Sequence, residues 1–207
     1  MALFRRRKIE ENPITPIVDE TPVAQQTKGP WDASERDTSN GYVDYGSLRV
    51  PTKARVVLQP LQLPGHSAVQ SLRAVAGTSA VIFTVIADRK SGGIRQEIIE
   101  MSETQFAEQG VKYDWAEGPW GSELIIYPED KGVTPTRLAF VEGPRWVLRI
   151  QIIGQATIDD SAREIINSVV DDVVVFRDDS PRPAGNIIPL VIPDATAQLE
   201  EIPDGGN

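Results

Sequence analysis

The sequence predicts an α+β domain: a largely antiparallel, twisted sheet of about seven to eight strands, built from hairpins, with two helices packed against it. Three observations carry that expectation. Apolar runs with a period of two come in pairs joined by short, glycine-bearing links. Between the pairs, two stretches change to spacings of three and four. No linker divides the 207 residues into separately patterned blocks, so a single domain is expected.

Residues 1 to about 28 mix charges with Pro13, Pro16 and Pro22 and show no periodicity, which predicts a solvated, disordered arm. The domain is expected over 29–193, with a flexible tail over 194–207. "SLRV" (47–50) and "RVVLQP" (55–60) are the first strand signals. They precede "AVQSLRAVA" (68–76) and "SAVIFTVIA" (79–87), which Gly77-Thr78 joins at hairpin length. The second of these is apolar on both faces, as a central strand covered on both sides would be. After "DRKSGG", Ile94, Ile98 and Met101 recur at helical spacing, widened by Ile99 and Phe106, until Gly110 closes the pattern.

Two further hairpins follow, "VKYDWAE" with "GSELIIY" and "RLAFVE" with "RWVLRIQIIG", both turning at Gly-Pro motifs. In the last strand Trp146, Leu148, Ile150 and Ile152 share one face while Arg149 and Gln151 share the other, so Trp146 is expected in the core. "TIDDSAREIINSVVDD" predicts a helix started by a capping box from Ser161 to Glu164. Its buried stripe is expected to be Ala162, Ile165, Ile166, Val169 and Val170. "VVVF" is a final strand. In "IIPLVIP" (187–193), Pro189 and Pro193 forbid a central strand, and an extended segment laid against an edge or groove is expected.

Composition narrows the function. A formal charge of −9 disfavours nucleic-acid binding by the folded body. The first eight residues, "MALFRRRK", hold four of the 21 basic side chains, leaving 17 against 30 acidic ones. That cationic tip suits at most a weak, salt-sensitive contact with anionic lipid or nucleic acid. With no cysteine there are no disulfides, thiolate metal sites or thiol nucleophiles, which fits a reducing cytoplasm. The apolar runs are far short of the ~20 residues of a membrane-spanning helix. No secretory signal or myristoylation motif is present at the N-terminus.

Gly-Pro motifs with a nearby tryptophan stand at 29–31, 118–120 and 143–146. Proline suits position i+1 of a β-turn, and an indole beside the turn can fold over the sheet end, so a structural role is favoured. The functional alternative is that Trp31, Trp115 and Trp120 rim a groove to which Arg145 or Arg149 lends one charge, suited to a peptide or small anionic ligand. His66, the one histidine, lies in a turn-like context and is expected to be a surface residue, not a catalytic one. The pairs Asp159-Asp160, Asp171-Asp172 and Asp178-Asp179 lack the spacing of a calcium loop, and no metal or cofactor is expected. In "ADRKSGG", Arg89, Lys90 and the amides of Ser91, Gly92 and Gly93 lead into a helix N-terminus and form the nearest thing to an anion cradle. The spacing of a P-loop is missing.

Taken together, "LFRRRK" at the start, "GPWDASERD…GYVDYGSLRVP" (29–51), "RKSGG", "EGPWGSEL", "FVEGPRWVLR" and "DVVVFRDDSPRPAGNIIPL" resemble an actinobacterial family known as domain of unknown function 3710. "GYVDYGSL" and "VEGPRW" are the most specific parts. The resemblance spans nearly the whole chain and implies a cytoplasmic actinobacterial protein whose family carries no established activity. It brings no catalytic residues. The function expected is a non-enzymatic binding or adaptor domain that contacts a protein or small ligand through its sheet or hairpin ends. The alternative is a nucleotide- or anion-binding protein, or an enzyme, using the Arg89–Gly93 loop.

Overall fold

The computed structural model describes residues 28–62 and 67–193. The expectations placed on the basic tip and arm, on His66 and on the tail beyond residue 193 lie outside the described residues.

The described residues open with short strands at Trp31–Asp32 (β1), Tyr42–Asp44 (β2), Leu48–Pro51 (β3) and Val57–Leu61 (β4), then the hairpin Ser71–Ala76 (β5) and Ser79–Ala87 (β6). Helix α1 spans Ile94–Gln109. The next hairpins are Lys112–Gly118 (β7) with Gly121–Tyr127 (β8), and Thr136–Gly143 (β9) with Trp146–Gly154 (β10). A 3₁₀ turn at Gln155–Thr157 leads into α2, Asp160–Val170, and the short strand Val174–Val175 (β11).

Seven strands form one wholly antiparallel sheet in the order β4-β5-β6-β10-β9-β8-β7. The architecture is therefore the α+β one that the patterning predicts. A second sheet, β1-β11-β3-β2, is not foreshadowed by the sequence. Its strands are two to four residues long, too short for alternation to register, and Val173, Val174 and Val175 are buried in succession.

Side-chain parity sorts the main sheet into two cores. From β10, Trp146, Leu148, Ile150 and Ile152 join Phe83, Val85 and α2's Ile166 and Val169 in the larger core, roofed by α2 and the small sheet. Val147, on the other parity, joins Leu124, Leu138 and Phe140 under Ile94 and Ile99 of α1. So β10, expected to have one solvent face, is covered on both. Strand β6, buried along almost its whole length between β5 and β10, is the central strand expected.

Both helices depart from their predicted details. In α1 the buried positions are Ile94 and Ile99, with Ile98 and Phe106 half-buried, while Met101 is 67% exposed. Gly110 closes α1 with φ near +67°; its amide donates to Ala107 O (3.3 Å) and Val111 N to Phe106 O (2.9 Å), the paired bonds of a Schellman end. Helix α2 starts earlier than the capping-box reading placed it. Asp159 is its N-cap, accepting from Ala162 N at 2.8 Å, because an aspartate at that position reaches the orphan amides directly. The buried stripe is Ile166, Val169 and Val170, and Ile165 faces outward.

The proline-bearing segment runs along an edge, as its composition predicts. Ile188 N donates to Val85 O and Ala87 N donates to Asn186 O, both at 2.8 Å, so the segment takes over beside β6 where β5 stops. Leu190 N then bonds Val69 O (2.8 Å) and Val191 N bonds Tyr45 O (2.9 Å), tying the β2–β3 hairpin to the main sheet.

The Gly-Pro glycines are needed for close approach. A Cβ on Gly143 would lie 2.1 Å from Cζ2 of the Trp146 indole, and one on Gly29 would lie 2.5 Å from the Asp171 carbonyl oxygen. Gly143→Ala is expected to destabilise by roughly 1–3 kcal/mol, as over-packing against a rigid ring does. Gly132→Ala, with nothing within 4 Å, should stay within about 0.5 kcal/mol of the parent. Urea midpoints of the two variants measure the difference.

Candidate functional site

The three Gly-Pro motifs meet around β1 and the residue that ends α2. Trp31 Nε1 donates to the Asp171 carbonyl (2.8 Å) and Trp120 Nε1 donates to the same residue's Oδ1 (2.9 Å), so the end of α2 ties two motifs together. Trp146, only 1% exposed, donates to Asp32 Oδ2 at 2.8 Å. Neighbouring Asp172 accepts from Arg36 (2.9 Å) and Lys53 (2.7 Å), and the Arg36 guanidinium lies 5.3 Å from the Trp31 ring centroid. Each indole is a packing element whose N–H has found an acceptor.

Trp115 stands elsewhere. It is 45% exposed on the α1 face of the sheet, and its Nε1 donates to Glu103 Oε1 (3.0 Å), which also accepts from Tyr113 Oη (3.2 Å). The suggested rim of Trp31, Trp115 and Trp120 thus splits across the sheet: Trp31 and Trp120 meet at Asp171, while Trp115 anchors α1. Arg145 occupies the β9–β10 turn with φ +64° and pairs with exposed Asp179 at 3.2 Å. The buried Glu123–Arg137 pair is closed on itself between β8 and β9.

At the start of α1 the loop supplies its own anions. Arg89 grips Glu97 with both terminal nitrogens, at 2.5 and 3.0 Å, which raises the guanidinium's pKa and lowers the carboxyl's. Asp88 Oδ1 accepts from Arg89 N (2.6 Å) and Ile94 N (3.3 Å), and Glu142 Oε1 accepts from Gly93 N (3.4 Å). Lys90 and Ser91 are exposed, and Gly92 packs close to the Glu142 carboxylate. An incoming anion would meet amides already facing carboxylates, in a loop whose arginine is already neutralised.

Sequence reasoning missed a cavity beneath α1. It has a volume of about 270 Å³ and lies between the helix and the main sheet. Ile98 and Phe106 line it from α1, Ile86 from β6, Ile126 from β8, and Leu138 and Phe140 from β9. Among these apolar groups stands Arg149 of β10, set between Thr84 and Phe140 in the strand register. One terminal nitrogen donates to Gln151 Oε1 (2.9 Å), and Nε is buried with no hydrogen-bond partner. Burial pushes the guanidinium's pKa down, yet an arginine remains charged at neutral pH. The other polar groups lining the cavity are Ser102, Gln105, Thr136 and Gln151, with no acid among them. Ser102 Oγ is turned to its own helix, donating to Ile98 O at 2.7 Å.

Alternation alone assigned Arg149 to a solvent face, because a strand's period does not say what will cover that face. The available signal was α1 itself: Ile98 and Phe106 need an apolar surface to land on, and the odd-numbered side of β10 provides part of it.

A family model described as "Protein of unknown function (DUF3710)" matches residues 29–199. No curated protein matches the chain.

The Trp146–Asp32 contact has a pH signature. Burial, the largest influence, pushes the Asp32 carboxyl up, but hydrogen bonds from the Ser34 hydroxyl, the Trp146 indole and the Ser34 amide together hold it below its ordinary value. A depressed native pKa gives stability that is full above the unfolded value of about 3.9 and is lost as pH falls through the lower native value. Trp146→Phe removes one donor and should lower stability at neutral pH. The deficit relative to the parent should narrow at about pH 3, since lost packing does not titrate and the lost hydrogen bond to carboxylate does. Denaturant midpoints at the two pH values measure this.

Proposed function

We propose that this chain, which belongs to the DUF3710 family of proteins of unknown function, is a non-enzymatic binding domain that receives a small, largely apolar ligand in the cavity beneath α1. The observation that carries this reading is the 270 Å³ space itself, a concave recess whose six apolar side chains are interrupted by Ser102, Gln105, Thr136, Arg149 and Gln151. The lining holds no histidine, cysteine or carboxylate to move a proton or attack a substrate, and its serine hydroxyl is engaged with a helix carbonyl. Among the described residues there is also no cluster of acids or histidine that would hold a metal ion.

The way α1 is attached supports a binding role. Its N-terminal end hangs on Gly92 and Gly93, both with positive φ, and its C-terminal end on Gly110. Between them it is held by buried Ile94 and Ile99 and half-buried Ile98 and Phe106, by Arg89 on Glu97 and Asp88 on Ile94 N, by Arg95 Nε donating to Phe140 O (2.9 Å), and by Glu103 against Tyr113 and Trp115. A helix with two fully buried side chains, the rest of its ties lying at the surface or half-buried, suits a ligand-admitting element, since such elements come from the less stable parts of a fold.

A second reading, contact with another protein, is favoured by an open groove of about 440 Å³ beside β4. Val43, Val56, Leu58 and Ile192 line it, and Val57, Val191 and Ile192 leave apolar surface exposed around it. A reducing cytoplasm suits a chain without cysteine, and no helix among the described residues is long and apolar enough to cross a membrane.

Filling the cavity tests the first reading. Ser102→Phe places a ring in the space without disturbing the helix backbone. The variant should fold, and it should lose any ligand-induced rise in melting temperature that the parent shows with compounds of eight to ten heavy atoms, a size set by about 30 Å³ per water-sized group. A ligand at a hundred times its Kd stabilises by about 2.7 kcal/mol, which is readily measured by thermal shift.

A further inference from the structure

Resting on that reading of the cavity, we propose that its ligand is a medium-chain or aryl monocarboxylate, with the carboxylate on Arg149 and the apolar tail among Ile98, Phe106, Ile126 and Leu138. Charge carries the argument. The chain has 30 acidic residues against 21 basic ones, yet among the described residues half-buried Arg149 has no carboxylate partner and no acid lines its cavity. Among the described residues, Arg73, Arg137, Arg149, Arg177 and Arg182 each have an Nε buried without a hydrogen-bond partner. Arg137 is paired with Glu123, and Arg177 and Arg182 with Asp178. Arg73 and Arg149 have no such ion pair among the described residues, and Arg149 lines the cavity beneath α1.

A guanidinium that lines a partly apolar cavity and has no carboxylate partner of its own suits a planar anion, since its fork matches the two oxygens of a carboxylate. One uncompensated positive charge is balanced by one negative charge. A phosphate dianion would bring a second charge into a cavity whose remaining polar groups are neutral, and would stay uncompensated there. Size sets the rest of the class. At about 30 Å³ per water-sized group, 270 Å³ accommodates about nine such groups, a carboxylate with six or so carbons behind it, extended by a little relaxation of α1.

The test uses four probes of equal chain length, octanoate, octanol, octanamide and octylamine, titrated calorimetrically into the full chain. Octanoate should bind at least about tenfold more tightly than octanol or octanamide, the worth of a charge-assisted hydrogen bond, and octylamine should not bind. Arg149→Gln should remove the octanoate advantage while leaving octanol binding where it was. Should that variant fail to fold, the parent's preference for octanoate over neutral, isosteric octanamide decides the matter alone. Equal binding of octanoate and octanamide, or a preference for acid that survives in Arg149→Gln, overturns the carboxylate assignment and leaves the cavity as a neutral apolar site. If none of the four binds, or if Ser102→Phe binds octanoate as the parent does, the cavity reading itself fails.

Discussion

Strand β10 is hydrogen-bonded on both sides, to β6 over nine residue pairs from Trp146 to Gly154 and to β9 over seven from Trp146 to Ile152, and everything else in the domain is arranged by that double register. Because successive side chains point to opposite faces, fixing β10 fixes two cores at once. Trp146, Leu148, Ile150 and Ile152 are committed to α2 and the small sheet, and Val147, Arg149 and Gln151 to α1. A slip of one residue would carry a guanidinium into the larger core and four large apolar side chains out of it. The Gly143-Pro144 turn locks the register at one end, where the indole of Trp146 lies so close over Gly143 that no side chain fits between.

The larger core is closed by contacts distant in sequence. Asp171 receives Trp31 from the chain's first strand and Trp120 from the β7–β8 turn, while Asp172 receives Arg36 and Lys53. The three Gly-Pro motifs therefore look alike in sequence and differ in what they do. The first lays Trp31 against the end of α2, and the second aims Trp120 at the same residue and keeps Gly118 free for the Glu123 carboxylate. The third turns β9 into β10. The face under α1 is built with less redundancy, and that is where unfilled space and an unneutralised charge occur together.

Much of the main sheet was legible in the sequence because its strands are long and its hairpins local. The three pairs β5–β6, β7–β8 and β9–β10 follow from period-two runs and short turns, and the centrality of β6 follows from its apolar residues on both faces. The small sheet was not legible, since pairing Trp31 with Val174 depends on chain closure over most of the domain and two-residue strands carry no period. The burial of α1 was only half legible. Its spacing suggested Met101 as core, but the sheet takes up the neighbouring stripe through Ile94 and Ile99. Of the candidate ligand residues, Arg89 to Gly93 do form a loop at a helix N-terminus as their composition implies, but sequence says nothing of Asp88, Glu97 and Glu142 folding back onto it. Arg149 was visible as a charge on one face, and invisible as the occupant of a cavity, because covering that face is a tertiary event.

The segment from Asn186 to Val191 completes the edge of β6 beyond the reach of β5 and fastens the β2–β3 hairpin to the main sheet. A polypeptide is synthesised from its N-terminal end. Ile86 and Val85 thus leave the ribosome long before the residues that will pair with them, and during that interval the stretch Val85–Ala87, past the reach of β5, presents unpaired backbone groups along one side. For this domain, birth and closure are separated in time, and the nascent chain is most open to wrong partners while its central strand waits for Ile188.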